Sequence, residues 1–251
     1  MTGHIYIFNH TKGTIMNFKD AVVLVTGANR GLGKALAQAA LNAGARKVYA
    51  GARNPAAVTL PGVTPIKLDV TSEADIKAAV QAIPDLTILI NNAGISSGGG
   101  VTSPEAIATA RLELEANFFG PLALSNAFAP TLKRNGGGAI VNILSALSWI
   151  SLPSTGTYSV SKAAAWALTN GLRGELFAQN TQVLGAHMGY MDTDMTAGID
   201  APKAAPADVA QAIVTALEAG ESEVLADDTA RQVKAGFGLP RSAYLGAPLG
   251  A

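Results

Sequence analysis

Tyr158 and Lys162 stand four residues apart in the stretch Tyr158-Ser159-Val160-Ser161-Lys162. On a helix that spacing puts a phenol and an ammonium on one face, one turn apart. Packing asks for no such pair. An ammonium beside a phenol favours the phenolate, which makes the tyrosine usable as an acid or base near neutral pH. Ser145, thirteen residues upstream and just past the apolar run Ala139 to Leu144, adds a hydroxyl at a strand end. Serine, tyrosine and lysine together would handle a proton. Taken alone, however, Tyr-x-x-x-Lys more often marks a solvated helix face, so the surrounding elements must decide.

Those elements alternate in type. Ala21 to Val25 is a continuous valine-rich run, the mark of a strand buried on both faces. Thr26-Gly27-Ala28-Asn29-Arg30-Gly31-Leu32-Gly33 follows at once, and then Leu32, Ala35, Leu36, Ala39 and Ala43 recur at helical spacing up to Gly44, a C-terminal cap. Strand, glycine-rich turn and helix in that order let backbone N–H groups approach a diphosphate at the positive end of the helix. Lys47 to Ala52 and Val63 to Leu68 read as the second and third strands, with Asp69 closing the third. Ser72 with Asp75 opens a helix that runs to about Ile83 and stops at Pro84.

The fourth strand, Leu86 to Ile90, delivers Asn91-Asn92-Ala93-Gly94 at its carboxyl end, where open parallel sheets bind their ligands. Ser103-Pro104-Glu105 predicts a helix start with proline in first position, and the helical region to about Lys133 is expected to break near Pro121. Its apolar excess (Phe118, Phe119, Leu122, Leu124, Phe128) points to a subunit contact, and Asn117 among them is a polar candidate for the site. Gly136-Gly137-Gly138 turns into the fifth strand; the tyrosine helix runs to about Ala178. A sixth strand, Gln182 to His187, leads into a flexible stretch to Lys203, followed by a helix from Pro206 to Ala219 and a short strand from Glu223 to Ala226. The pattern is that of one doubly wound α/β domain, a mostly parallel sheet of about seven strands with helices on both faces. Residues 16–251 form that domain; residues 1–15 read as an extension that lacks the basic start and apolar block of a signal peptide.

Composition excludes several function classes. Net charge is zero, so no electrostatic footprint for nucleic acid or an anionic membrane is present. The chain has no cysteine, which removes disulfides, thiolate metal sites and a cysteine nucleophile. Its three histidines, His4, His10 and His187, fall in no H-x-x-x-H spacing, and no metal site is expected. No run of about 18 uncharged apolar residues is present to span a membrane. A cytoplasmic location is expected.

T-G-x-x-x-G-x-G, then N-N-A-G, a serine after the fifth strand and Y-x-x-x-K occur in this order from Thr26 to Lys162. Together they resemble the classical short-chain dehydrogenase/reductase family over roughly Lys19 to Asp227. The resemblance implies Tyr158 as catalytic acid and base, with Lys162 holding the nicotinamide ribose and favouring the phenolate. Ser145 would orient the substrate carbonyl and Asn117 would complete a proton relay through water. Gly27, Gly31 and Gly33 would cradle the diphosphate, with Asn29 and Leu32 of the same loop also at the cofactor and Arg30 approaching a ribose 2′-phosphate. Asp69 and Val70 would meet the adenine, Asn92, Ala93 and Gly94 would flank the adenosine side, and Gly189 and Thr193 would close the cofactor site.

Two positions depart from the family pattern: Leu144, where many members carry a second serine, and Met188, where proline is common before the glycine. Both are expected to border the substrate pocket, drawn from Ser96–Val101, Ala146–Thr155 and Met188–Lys203. That pocket holds Leu147, Trp149, Ile150, Leu152, Tyr190, Met191 and Met195 and no basic cluster, so an apolar ketone or aldehyde is the expected substrate. His187 is expected to be structural.

The second strand ends in Gly51-Ala52-Arg53, and no aspartate or glutamate occurs from Ala21 to Leu68. An acid at that strand end would bind the ribose 2′-OH of NAD, whereas an arginine accommodates the 2′-phosphate. NADP(H) is therefore expected over NAD(H), and the leading reading is a carbonyl reductase. The alternatives are an NAD-dependent alcohol dehydrogenase and a nucleotide-binding sensor without chemistry. The resemblance also implies a homo-oligomer, a dimer or tetramer.

Overall fold

The computed structural model describes residues 16–246; the expectation for residues 1–15 lies outside them. Its frame is a sheet of seven parallel strands: β1 (Val22–Thr26), β2 (Lys47–Ala52), β3 (Thr64–Lys67), β4 (Ile88–Asn91), β5 (Gly138–Ile143), β6 (Thr181–His187) and β7 (Glu223–Leu225). Their order is β3-β2-β1-β4-β5-β6-β7. The chain winds outward from β1 to β3, returns to the other side of β1 as β4, and winds outward again. The turns after β1 and β4 therefore diverge, leaving a crevice at their carboxyl ends.

Alternate residues of β1 serve opposite layers, as the two-residue period of a strand requires. Val23 and Val25 pack with Leu36 and Ala40 of α1 (Gly31–Asn42) and with Ile213 and Leu217 of α6 (Pro206–Glu218). Val22 and Leu24 face Ile76 of α2 (Glu73–Ala82), Leu124 and Phe128 of α4 (Gly120–Arg134), and Leu172 and Leu176 of α5 (Gly156–Leu176). A strand buried on both faces needs no polar side, which is why its sequence is an unbroken apolar run. Among the described residues no helix is long and apolar enough to cross a membrane.

Local signals placed the helix ends well. Ser72 caps α2, its hydroxyl accepting from Asp75 N at 3.2 Å. Gly44 follows α1 with φ +87°, as a left-handed terminator should. The region after β4 differs from expectation. The helix begins at Ala106 rather than with Pro104, as α3 (Ala106–Leu114). It does not break at Pro121: a π turn, Glu115–Phe119, joins α3 to α4, with the Gly120 N–H reaching back to Glu115 O. Pro121 then sits in the first turn of α4, where a missing N–H costs nothing. The stretch after β6, read as flexible, is tied by a parallel bridge between Met191 and Ala204 and by a single 3-10 turn, Asp194–Thr196. A further helix, α7 (Asp228–Ala235), was not anticipated.

Candidate active site

The turn after β1 builds the first wall of the crevice. Gly33 is needed for close approach, since a Cβ there would fall 2.2 Å from Gly27 O and 2.6 Å from Asn92 Nδ2. Arg30 stands at the N-cap of α1 in extended conformation, and no side chain caps the helix. Its first N–H groups therefore face the crevice without a side-chain acceptor. That is the donor set a diphosphate requires. Thr193 lies over the loop, its Cγ2 3.3 Å from where a Gly31 Cβ would be. Beside it Asp194 pairs with Arg30 at 3.0 Å, an exposed contact worth about 1 kcal/mol or less.

Asn92 braces the same loop. Its Nδ2 donates to Thr26 O at 2.8 Å, and its N–H donates to Thr26 Oγ1 at 2.9 Å. Asn29 and Ala93 are partly exposed beside this loop, whereas Leu32 is buried under it. Ala28 N donates to Gly51 O at 3.1 Å, so the end of β2 lies against the glycine turn and the exposed Arg53 leaves from there. Asp69 Oδ1 accepts from Thr71 N and Oγ1 at 3.0 and 2.8 Å, holding the turn after β3, with Val70 buried next to it.

Ser145 leaves β5 as the N-cap of a 3-10 turn, Ala146–Ser148. Its hydroxyl accepts from Leu147 N at 3.1 Å, and Ser148 Oγ accepts from Ser145 N at 3.2 Å. From behind, the fully buried His187 donates from Nδ1 to Ser145 O at 3.0 Å. Burial pushes this imidazole down to about 4, so it is neutral near pH 7. Its ring stacks on Trp149 at 3.7 Å, and Trp149 meets Trp166 and Phe237 edge-on. Trp149 is thus consumed in an aromatic cluster rather than open to a pocket. Met188 and Leu144 are also buried, Met188 in the core beside α1 and α6 and Leu144 against Gly185. Both side chains, expected at the edge of the substrate pocket, are packed inward. Strand alternation and the turn at Ser145 carry both side chains inward.

Tyr158 and Lys162 lie on α5, with Lys162 Nζ 5.7 Å from the phenol ring centroid. Tyr158 is half-buried, and Lys162 is buried. The ammonium donates to Ile143 O at 2.8 Å, the last carbonyl of β5, and burial pushes it down to about 8. The expected depression of the phenol is not the net outcome. Burial and the charge of Glu113 push Tyr158 well above its ordinary value, against the side-chain hydrogen bond from Ser145. Without a nucleotide, the tyrosine is thus held as a neutral acid.

Asn117 sits in the π turn, a distortion frequent at functional sites. Its amide pairs with the backbone of Ile95 as a strand would, accepting from N at 2.8 Å and donating to O at 2.9 Å. It also donates to Ser161 Oγ at 2.9 Å, tying the loop after β4 to the tyrosine helix. A Cβ on Gly94 would lie 2.9 Å from Asn117 Oδ1 and 3.8 Å from Lys162 Nζ, so these three residues meet.

Two contributors were missed in the sequence. Asp227 caps α7, accepting from Ala230 N at 2.8 Å, and its other oxygen accepts from Gly189 N at 2.6 Å. Thr229 crowds Gly189 so closely that any Cβ would meet it at 2.7 Å. The cap signature Asp227 before Asp228 was legible; its second bond to the loop after β6 was not. The other is Glu113, buried one turn before Asn117, whose Oε1 accepts from Ser97 N at 2.8 Å.

This geometry has relatives. The family model for short chain dehydrogenases matches residues 21–204. A solved short chain dehydrogenase from Burkholderia cenocepacia J2315, in complex with NADP, superposes with TM-score 0.86 at 40% identity, covering 93% of this chain and 100% of that one. A 7α-hydroxysteroid dehydrogenase complexed with NADH and 7-oxo glycochenodeoxycholic acid gives TM-score 0.76 at 28% identity, covering 84% of this chain and 94% of that one. Dehydrogenase/reductase SDR family member 7B from Bos taurus is 34% identical over 196 residues, 71% of this chain but 60% of the relative. A family protein 7-like from Anopheles gambiae is 31% identical over 254 residues, 89% of this chain and 77% of the relative. The chain spans under two thirds of the length of the bovine relative. The match over residues 21–204, with the parallel sheet and the residues gathered at its carboxyl edge, places this chain in the short chain dehydrogenase family.

Proposed function

We propose that the chain is an NADP(H)-dependent oxidoreductase of the carbonyl reductase type, moving hydride between the nicotinamide and an apolar ketone or aldehyde, or the matching secondary alcohol. The observation that carries this is the meeting of Ser145, Tyr158 and Lys162 beside a glycine loop whose helix N-terminus has no side-chain cap. When bound, the reduced nicotinamide supplies the hydride that a carbonyl carbon accepts. The chain's own residues do the rest. Ser145, fixed by Ser148 and His187, directs its hydroxyl to the carbonyl oxygen. Tyr158 gives that oxygen its proton, and in the reverse direction its phenolate takes the proton back. Lys162 holds the ribose and offsets the phenolate charge, and Asn117 keeps the loop and helix in register for a water-borne proton relay. Leu147, Ile150, Tyr190 and Met195, from the turn after Ser145 and the loop after β6, are apolar, and these stretches hold no basic cluster for an anionic substrate.

Arg53 supports the choice of NADP(H), since a 2′-phosphate gains a charge-assisted contact that NAD lacks. A tenfold preference needs only ~1.4 kcal/mol, within reach of one such contact. Wild type is expected to favour NADPH by about tenfold or more in kcat/KM, and Arg53→Asp to erase the preference. Wild type favouring NADH, or a variant of unchanged selectivity, overturns the assignment.

A homotetramer is proposed as well. Ile107, Leu112, Phe119 and Val160 on α3, the π turn and α5 are between 47 and 72% exposed, a costly surface for a lone chain. Leu124 and Phe128 are not part of it, because both are spent in the core. Light scattering at micromolar concentration is expected to give several times the mass of one chain; a monomer refutes it.

A further inference from the structure

Ser145 is held largely by its own turn. Its N–H donates to Ser148 Oγ at 3.2 Å, its hydroxyl accepts from Leu147 N at 3.1 Å, and its carbonyl accepts from Ser148 N at 3.0 Å. A turn closed on itself can tilt as a unit unless bonds from outside fix it. β6 and the residue after it supply such bonds. Ala186 O accepts from Leu144 N at 2.8 Å and Met188 O from Ala146 N at 2.9 Å, on either side of Ser145. Between them His187 Nδ1 reaches the Ser145 carbonyl at 3.0 Å. A carbonyl oxygen only accepts, so Nδ1 carries the proton.

Packing alone would not choose histidine at this position. The ring is fully buried and its Nε2 hydrogen-bonds to no group of the protein, Glu223 Oε1 at 3.7 Å being beyond bonding reach. Phenylalanine would stack on Trp149 equally well without burying an unpaired nitrogen. A buried polar atom without a partner needs a reason, and the N–H on the other side of the ring supplies one. The plane of that ring is fixed as well. Trp149 stacks on it at 3.7 Å with 18° between the planes. Trp149 is in turn held edge-on by Trp166 of α5 and by Phe237 beyond α7, with Lys234 Nζ 4.6 Å from its ring centroid. The Nδ1–H is therefore aimed before any ligand arrives.

We propose that His187 is a positioning residue for carbonyl reduction: by its Nδ1–H it pins the Ser145 peptide to β6 and so sets where the Ser145 hydroxyl stands. This rests on the reading of Ser145 as the group that orients the substrate carbonyl. The hydroxyl's own bond to Met188 O is long, 3.4 Å, so its hydrogen is readily turned to a substrate oxygen. What remains to be fixed is the place of Oγ. His187 moves no proton itself, since its ring is neutral and buried behind the serine. Its contribution is geometric, and a misplacement of about 1 Å can cost ~10²-fold in rate.

His187→Phe and His187→Asn separate the N–H from the ring. Phenylalanine keeps the stack and loses the donor, whereas asparagine loses the stack and returns an amide N–H close to the place of Nδ1. His187→Phe is expected to melt close to wild type, yet to reduce acetophenone with NADPH at a kcat lower by about 10–10²-fold. Its KM for NADPH should change little, because the glycine loop is untouched. His187→Asn should melt lower and keep most of the wild-type kcat. A merely structural histidine would make activity follow stability; here the two orders are opposite. Full kcat in His187→Phe, or a kcat in His187→Asn no higher than in His187→Phe, overturns the proposal, as does a His187→Phe chain that fails to fold. Crystal structures of the NADP-bound proteins read Ser145 without turnover, with Oγ expected to be displaced in His187→Phe and in place in His187→Asn. An unmoved Ser145 in His187→Phe overturns the positioning. A wild type inactive on acetophenone, with Ser145 displaced in His187→Phe, counts against the proposed function and not against His187.

Discussion

Replacing Tyr158 by phenylalanine is expected to lower kcat by about 10²–10⁴-fold, the usual contribution of a positioned general acid, while NADP binding stays nearly unchanged. The ring that lies 5.7 Å from Lys162 Nζ remains, and the change removes only the hydroxyl and its side-chain hydrogen bond with Ser145. Because α5 is otherwise untouched, the melting temperature should move little. The loss should appear in kcat more than in KM, since the proton moves in the transition state and not on binding. A variant that retains more than about a tenth of wild-type kcat would remove Tyr158 from the role of acid.

Lys162→Ala is expected to weaken NADP binding and to lower kcat by about 10²–10³-fold, the scale of losing one preorganised donor in a water-poor site. The buried ammonium already reaches Ile143 O at 2.8 Å, so its reach and direction are set before any nucleotide arrives. The sign of the pH effect follows from charge. With the cation gone the phenolate is less stable, so the rising limb of alcohol oxidation should move to higher pH. In the nucleotide-free wild type burial brings Lys162 down to about 8, so its support for the phenolate fades above that pH. Fluorescence titration with NADPH and a pH profile of oxidation test both duties. Equal affinity together with an unmoved profile would sink the dual role.

Local order in the sequence determined a good deal. The apolar run of β1, the spacing of Gly27, Gly31 and Gly33, the cap at Ser72 and the four-residue step from Tyr158 to Lys162 each concern neighbours along the chain. Backbone sterics and the helix and strand periods act over that range, so the alternation of strands and helices and the catalytic candidates were legible. Other features join residues far apart in sequence and depended on which strands became neighbours. The turn after β5 met β6, and this brought His187 behind Ser145. Asp227 reached Gly189 because β7 pairs with β6. Met188 and Leu144 turned inward because strand alternation continued past the predicted pocket edge. The sequence showed Glu113 as one more acidic residue on a helix; only the Ser97 loop folding against it made it a buried acceptor. Periodicity reports which way a side chain points on its own element, but burial, partner and field come from the element packed against it.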